Sequence, residues 1–135
     1  MYRQGSFVIG GYTQPAGERK HLGVLLVGVF ENGKLKFAGR VGTGFSEKLL
    51  KSLSAELNKI TVKACPFYNL PATGRGLDPG LTVAEMKRCI WVKPSMVCEV
   101  KFTEWTRDDR LRQPVFLGIR EDKNAKEVVR EKASI

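Results

Sequence analysis

A charged segment closes the last strand-like stretch of the 135-residue sequence. It reads Leu117-Gly-Ile-Arg-Glu-Asp-Lys123, so two basic and two acidic side chains stand together in its last four positions. An arginine offers a phosphate paired hydrogen bonds, and a lysine offers a mobile point charge. Arg120 and Lys123 could therefore neutralise a triphosphate, with Asp122 orienting one of them or helping to hold a metal-bound phosphate. For such a segment taken alone, a solvated strand end is the commoner interpretation.

A second candidate is the glycine-rich stretch Gly39-Arg-Val-Gly-Thr-Gly-Phe45, which lies where a strand is expected to end and a helix to begin. It is neither G-x-G-x-x-G nor a P-loop, because Lys and Ser/Thr do not follow its last glycine in the required order. Its glycines would let backbone N–H groups approach a phosphate just before a helix N-terminus at Ser46. A tight turn that needs a positive φ is the simpler explanation.

Three arginines cluster in an expected hairpin, where Arg107, Arg110 and Arg112 stand with Asp108 and Asp109. Arginines at such a place could grip backbone phosphates. A solvated, self-paired turn explains the same residues equally well.

The chain as a whole is strongly basic. It has 23 Lys and Arg against 14 Asp and Glu, a formal net charge of +9. Residues 1–98 carry 14 bases and 6 acids (+8), whereas residues 99–135 carry 9 and 8 (+1). A concentrated positive field favours a polyanion, and nucleic acid is the commonest one in a cell. A merely basic, solvated surface is the alternative.

The cysteines and the histidine argue against two kinds of catalytic site. Cys65, Cys89 and Cys98 form no C-x-x-C, and His21 is the only histidine, so four well-spaced zinc ligands are not readily assembled. A Ser–His or Cys–His hydrolase would need His21, which lies in a basic turn. Cys98 is expected to be a small buried hydrophobe in a reducing compartment rather than a reactive thiol.

Length and composition predict one folded domain, residues 1–135, in a soluble intracellular protein. Hydrophobic residues make up 42% and charged residues 27% of the chain, which excludes a disordered chain. No run of apolar residues is long enough to span a membrane, and the N-terminus does not resemble a signal peptide. No membrane partner is therefore expected.

The first three expected strands are Phe7–Thr13, Leu22–Phe30 and Leu35–Val41, which are rich in β-branched and aromatic residues. Gly10-Gly11 marks a bend or bulge in the first strand. Asn32-Gly33 is the strongest short-range hairpin signal, because both central residues of a type I′ turn need a positive φ.

The periodicity changes after Phe45. Ser46 is a good N-cap, and Glu47 suits the positive end of a helix. Apolar residues then recur at helical spacing from Leu49 to Ile60. A long irregular stretch, Pro66 to Pro79, follows the predicted helix.

Two more strands and a short terminal helix, Ala125–Lys132, complete the pattern. On the fourth strand, Met96, Cys98, Val100 and Phe102 are expected to share one face. On the fifth, the residues expected to alternate onto one face are Leu111, Val115, Leu117 and Ile119. A helix between the third and fourth of five strands predicts an all-β OB-fold barrel with short helices, and an SH3-like or other small barrel is the alternative.

Trp91, Trp105 and Phe116 could stack on nucleic-acid bases. Aromatic side chains in a small barrel more often belong to its core, so the core is the preferred location for all three.

Five separated blocks of the sequence resemble, in family order, the C-terminal OB-fold domain of ATP-dependent DNA ligases. The blocks are Phe7–Thr13, Arg40–Ser46, Trp91–Pro94, Glu99–Thr106 and Phe116–Lys123. The likeness is greatest to the bacterial ligases of the end-joining type. Each block alone is weak, but their combination is specific and covers essentially the whole chain.

The last block matches the R-x-D-K ending of the family's OB domain. The resemblance implies that Arg120, Asp122 and Lys123 help to orient the β- and γ-phosphates of ATP and to release pyrophosphate when the enzyme is adenylylated. The physical logic is electrostatic preorganisation around the departing pyrophosphate. ATP and Mg²⁺ are therefore implied, and in the family the nucleotidyltransferase domain is the main site that binds them.

The resemblance also implies a DNA-binding face. After adenylylation the family's OB domain turns, lays a different face in the minor groove and closes a clamp around a nick. Arg40, Thr43 and Gly44 correspond to the family's strand-to-helix turn that faces DNA. Charge adds five further DNA-binding candidates: Lys34, Lys36, Lys48, Arg107 and Arg110.

The implied partners are duplex DNA with a nick or a broken end, a nucleotidyltransferase domain in the same protein and a Ku-like end-binding protein. The implied location is the nucleoid in the bacterial cytoplasm.

The sequence departs from the family in one respect, because it contains no K-x-D-G, the motif whose lysine takes AMP from ATP. The expectation is therefore that these residues are a piece of a ligase and do not seal DNA alone. A free-standing OB protein for single-stranded nucleic acid is the alternative function. It would expose aromatic side chains for stacking, whereas a ligase domain would prefer duplex DNA through phosphate contacts.

Overall fold

The computed structural model of the chain describes residues 3–13, 23–67, 89–106, 110–121 and 124–128. In this part of the chain the elements are, in order, β1 (Arg3–Thr13), β2 (Leu25–Glu31), β3 (Lys34–Val41), α1 (Glu47–Asn58), β4 (Thr61–Val62), β5 (Cys89–Phe102), β6 (Glu104–Trp105), β7 (Leu111–Arg112), β8 (Val115–Arg120) and a 3₁₀ helix (Ala125–Glu127). Five strands of at least six residues and one α-helix dominate the described residues, which agrees with the predicted all-β class.

The long strands form one antiparallel sheet. Its order is β3-β2-β1-β5, and both β4 and β8 pair with β5, while β6 and β7 form a separate two-stranded sheet. Away from this strand order, the start of β8 also contacts the end of β3: the backbone N–H of Phe116 donates to the carbonyl of Thr43, just after β3, across 2.9 Å. This contact brings the last strand back to the third, as an OB-type barrel requires. The helix lies between the third and fourth long strands, as predicted.

Three local predictions are confirmed by the structure. Asn32 and Gly33, between β2 and β3, have φ values of 53° and 79°, which are typical of a type I′ turn. Ser46 caps α1, where its hydroxyl oxygen accepts a hydrogen bond from the backbone N–H of Leu49 across 3.1 Å. The register of β1 shifts between Ile9 and Gly11 against both neighbouring strands, so the predicted irregularity is there.

The helix contributes three leucines to a hydrophobic core that consists mainly of strand residues. Leu50, Leu53 and Leu57 are the buried residues of the helix, and the Tyr12 hydroxyl donates to the Asn58 side-chain oxygen across 2.9 Å, which ties the helix end to β1. Cys98 is fully buried in β5, as its strand position predicts.

The inward face of β8 differs from the prediction. Alternation places Leu117 on the inward face, but in the structure Gly118 pairs with Glu99 and Phe116 pairs with Val100. Leu117 is thus an extra residue in β8, a β-bulge opposite a regular strand. Because of the bulge Phe116 lies in the core at 2% exposure, and Leu117 is 46% exposed.

The predicted fifth strand is also divided. Leu111 belongs to β7, in the small second sheet, whereas Val115 begins β8. Between them Gln113 has a φ of 51°, a left-handed conformation that interrupts a strand.

The predicted terminal helix begins as a 3₁₀ helix at Ala125–Glu127, and the predicted residues from 129 onward lie outside the described part. Ala125 and Val128 are buried, and the Val128 carbonyl accepts from the N–H of Phe30 across 2.7 Å. The segment that follows β8 is therefore attached to β2. Most of the predicted irregular stretch, Pro66 to Pro79, also lies outside the described residues.

Candidate nucleic-acid interface and phosphate site

Arg120 is the last residue of β8 and is held by an acidic residue of the neighbouring strand. Its Nη1 donates to Oε1 of Glu99 on β5 across 2.9 Å. The same carboxylate oxygen accepts from the Ser6 hydroxyl across 2.8 Å, and Oε2 accepts from Nε2 of Gln4 across 3.0 Å. Residues from three adjacent strands thus converge on one carboxylate.

Burial of Glu99 opposes its ionisation, but the hydrogen bonds from Gln4, Ser6 and Arg120 and the charge of Arg120 outweigh it. The net result is a pKa for Glu99 below the usual value. Glu99 is therefore a carboxylate at neutral pH. The Glu99 side chain is 14% exposed and that of Arg120 is 34% exposed, so Arg120 is the more accessible member of the pair. Asp122 and Lys123, the other two predicted phosphate ligands, lie outside the described residues.

The turn from β3 to α1 places Thr43 and Gly44 at the surface. The Thr43 hydroxyl donates to the Pro114 carbonyl across 3.2 Å, and its own carbonyl accepts from Phe116. Gly44 has a φ of 95°, and a Cβ placed there would lie 2.3 Å from the Phe116 carbonyl oxygen. The turn is therefore both exposed and fixed against the start of β8, and Gly44 satisfies the simpler explanation of a tight turn.

Two basic residues flank this turn. Arg40 is the second-last residue of β3 and is partly exposed, and Lys48 is exposed in the first turn of α1. Both therefore lie within a few residues of the exposed Thr43 and Gly44.

Lys34 and Lys36 lie at the other end of β3. Lys34 is exposed next to the Asn32-Gly33 turn, and the ammonium of Lys36 is 3.7 Å from a carboxylate oxygen of Glu31. Arg40, Thr43 and Gly44 are thus neighbours along the chain where β3 ends, whereas Lys34 is six residues along the strand from Arg40.

Arg110 and Arg112, two of the three arginines predicted to lie in one hairpin, have different surroundings. Arg110 turns inward, where its Nη1 donates to the Phe37 carbonyl across 3.1 Å and its guanidinium carbon lies 4.9 Å from the centre of the Phe37 ring. Burial lowers the pKa of Arg110. Arg112 lies 3.3 Å from Glu104 in an exposed ion pair, and Arg107 lies outside the described residues.

The aromatic residues considered for stacking on bases are packed on other rings. Trp91 lies 6.2 Å from Phe67, and Phe116 is stacked on Phe45 at 4.8 Å between ring centres. Trp105 contacts two further rings, those of Phe7 and Phe102. In the part of the chain that the structure describes, the exposed large hydrophobic residues are Val62 and Leu117, neither of which is aromatic.

Other kinds of site find little support in the described ranges. There, no three His, Cys, Asp or Glu side chains come together in a way that could hold a metal ion. Burial raises the pKa of Cys98, and the charge of Glu99 acts in the same direction, so this thiol is a poor nucleophile. No helix among the described residues is long and apolar enough to cross a membrane.

Sequence reasoning did not single out Gln4, Ser6 or Glu99 as site residues. Glu99 is the one acidic residue in Val97–Phe102, where Lys101 is the other charged residue, and alternation with the apolar positions gives no sign that Glu99 has a special role. Its partners could not be found from the sequence, because they depend on the register in which β1 and β8 pair with β5.

Residues 18–123 match the family described as the ATP dependent DNA ligase C terminal region. The chain is also similar to the multifunctional non-homologous end joining protein LigD of Pseudomonas aeruginosa, with 39% identity over 129 residues, which cover 93% of this chain and 14% of the relative. For the corresponding DNA repair protein LigD of Mycobacterium tuberculosis H37Rv the identity is 42% over 125 residues, or 92% of this chain and 15% of the relative.

Among solved structures, the ligase domain of Mycobacterium tuberculosis LigD superposes with a TM-score of 0.81 at 39% identity, covering 96% of this chain and 39% of that one. A mycobacterial DNA ligase D complexed with ATP and MES superposes with a TM-score of 0.76 at 38% identity, covering 96% and 38%. The chain thus spans about one-seventh of the length of these curated relatives.

Proposed function

The chain belongs to the family of C-terminal regions of ATP-dependent DNA ligases, with its relatives among bacterial end-joining ligases, and we propose that it performs two tasks within such a ligase. One task is to orient the β- and γ-phosphates of ATP while the enzyme is adenylylated. The other is to clamp duplex DNA at a nick or broken end during repair.

The observation that carries the phosphate role is the setting of Arg120. It stands at the end of β8, in the position of the arginine in the family's R-x-D-K ending, and its guanidinium is held by Glu99 while 34% of the side chain is exposed. An arginine in a fixed orientation with access to solvent is suited to bind a phosphate bidentately. Asp122 and Lys123 would complete the site.

The chemistry explains why cations are needed there. In the family, the lysine of K-x-D-G attacks the α-phosphorus of ATP; a P–N bond forms, the bond to the β-phosphate breaks, and pyrophosphate leaves with the electron pair. Negative charge therefore develops on the departing group, where Arg120 and Lys123 would stabilise it. The family also implies Mg²⁺, but the described residues of this chain offer no three-ligand site for it, so we assign it no ligand here.

The DNA role is supported by the β3–α1 turn. Thr43 and Gly44 are exposed on a turn that β8 holds in place, with Arg40 and Lys48 on either side. Among the described residues every aromatic side chain is buried or only partly exposed, whereas a stacking platform for single strands would need fully exposed rings. This favours a duplex-directed, phosphate-contacting surface over the single-strand module. Lys34 and Lys36 would extend it along β3; Arg110, bound to Phe37, would first have to leave its present partner.

The phosphate role is tested by adenylylation. The chain is mixed with a separately expressed nucleotidyltransferase domain of a bacterial end-joining ligase, and transfer of labelled AMP from ATP is followed. We expect the chain to stimulate transfer, and Arg120→Ala and Lys123→Ala each to reduce the stimulation strongly while leaving a measurable part of it. Arg112→Ala is the matched control, since this arginine is exposed and paired with Glu104. No stimulation by the wild-type chain, or full stimulation by Arg120→Ala, would contradict this role.

The DNA role is tested by affinity for nicked duplex and single-stranded DNA at several salt concentrations. We expect the duplex to bind more tightly, and Arg40→Ala and Lys48→Ala each to reduce the slope of log K against log salt by about one. Tighter binding of the single strand would favour the alternative function.

The remaining parts of the proposal follow from the family. We propose that the 135 residues do not seal DNA without a nucleotidyltransferase domain, because they contain no K-x-D-G. A Ku-like end-binding protein would be a further partner, and the bacterial nucleoid the location. Pull-down by this chain with and without DNA ends tests that partner.

A further inference from the structure

Glu99 lies where three strands of the sheet meet. Ser6 on β1 is its direct cross-strand partner on one side, and Gly118 on β8 is its partner on the other. Arg120 lies two residues beyond Gly118, which is the diagonal position from which a long side chain reaches across a sheet. The pairing register thus places an acid between Ser6 and Arg120.

We propose that Glu99 is a positioning residue for Arg120, supported from behind by Ser6 and Gln4, and that it sets the orientation in which the guanidinium meets the triphosphate. This inference rests on the proposed phosphate role of Arg120.

The geometry shows why Glu99 can fix a direction. Both of its oxygens are engaged, Oε1 by Ser6 and Arg120 and Oε2 by Gln4. A carboxylate held at both oxygens cannot rotate to follow its partner. Arg120, which has a long and flexible side chain, is therefore held by a fixed anchor, and orientation of this kind contributes strongly to reaction rates.

Charge alone predicts the opposite outcome from positioning. A carboxylate 2.9 Å from Arg120 weakens the attraction of that arginine for an anion. If the charge of Glu99 determined the rate, removal of the carboxylate would accelerate adenylylation. If the orientation of Arg120 determines the rate, removal of the carboxylate slows the chemical step even though ATP binds as well as before or better.

The test uses the mixed adenylylation assay described above and separates the rate at saturating ATP from the KM for ATP. We expect Glu99→Gln to lower the saturating rate roughly tenfold to a hundredfold, with KM unchanged or lower. Ser6→Ala keeps both charges and is expected to lower the rate in the same way but less. Glu104→Gln is the matched control, because it removes the acid of an exposed Glu–Arg pair, and it should change neither quantity.

Coupling to Arg120 distinguishes positioning from a general loss of folded protein. In an Arg120→Ala background, Glu99→Gln should have no further effect, since the group it positions is gone. An equal effect in both backgrounds, or a saturating rate unchanged or raised by Glu99→Gln, would overturn the proposal and leave the role of Arg120 intact. No effect of Arg120→Ala itself would instead refute the proposed function. If Glu99→Gln does not fold, Ser6→Ala carries the same test in both backgrounds.

Discussion

Replacement of Gly44 by alanine tests whether the exposed turn is held rigidly on β8. Gly44 has a φ of 95°, and a Cβ there would lie 2.3 Å from the carbonyl oxygen and 2.8 Å from the nitrogen of Phe116. Both contacts are with backbone atoms, which cannot move aside as the end of a side chain can. The turn must therefore shift, and the hydrogen bond from Phe116 to Thr43 must lengthen or break.

The expected cost has two parts. A left-handed backbone conformation costs a non-glycine residue about 1–2 kcal/mol. Loss of a backbone hydrogen bond, with its groups left partly unsatisfied, costs about 1–2 kcal/mol more. Gly44→Ala should therefore lower the free energy of unfolding by about 3 kcal/mol, which for a domain of this size lowers the Tm by about 10 °C.

Two other glycines serve as matched controls. Gly33 has a φ of 79° but nothing within 4 Å of the added Cβ, so Gly33→Ala should show the conformational cost alone, about 1–2 kcal/mol. Gly118 has no positive φ and nothing within 4 Å, so Gly118→Ala should change stability by less than about 0.5 kcal/mol. Urea unfolding measures all three. Equal losses for Gly44→Ala and Gly33→Ala would show that the turn is not held against Phe116.

Three further predictions concern the strands beside the site. Urea unfolding should show that Phe116→Ala lowers the free energy of unfolding by about 3–5 kcal/mol and Leu117→Ala by less than about 0.5 kcal/mol, because the bulge places only Phe116 in the core. A larger loss for Leu117→Ala than for Phe116→Ala would contradict this position of the bulge. Cys98 should react with a chromogenic disulfide reagent only after unfolding, because it is buried and burial raises its pKa. Rapid labelling of Cys98 in the native chain, located by mass spectrometry, would contradict its burial. Folding lowers the pKa of Glu99, so the ionised Glu99 stabilises the fold above its unfolded pKa, and this stabilisation is lost as the pH falls through its folded pKa. Glu99→Gln should therefore make the free energy of unfolding less dependent on pH in that acidic range. An unchanged pH profile would count against the hydrogen bonds and ion pair assigned to Glu99.

The features that the sequence predicts correctly are those that neighbouring residues determine. The type I′ turn needs only Asn32 and Gly33, and the helix start needs only the Ser46 hydroxyl and the next backbone N–H groups. The R-x-D-K ending is also contiguous, so it could be recognised without knowledge of the fold, and its phosphate role stays a prediction.

The features that the sequence does not reveal depend on pairing between distant strands. Strict alternation places Leu117 inward, and the bulge that reverses this is visible only in the register of β8 against β5. The sequence predicts Arg110 as a phosphate contact, but its guanidinium packs on Phe37, 73 positions away in sequence. The carboxylate that holds Arg120 is found in the same way, through register rather than through a local motif.

Whether this domain works with a nucleotidyltransferase domain as part of a ligase is tested most directly by the sealing of nicked duplex DNA. The 135-residue chain, a separately expressed nucleotidyltransferase domain of a bacterial end-joining ligase, and their mixture are compared with ATP and Mg²⁺ present. We expect the mixture to seal nicks much faster than the transferase domain alone, and the chain alone not to seal them. Sealing by the chain alone, with contaminating ligase excluded, or a mixture no faster than the transferase domain would contradict the proposed function.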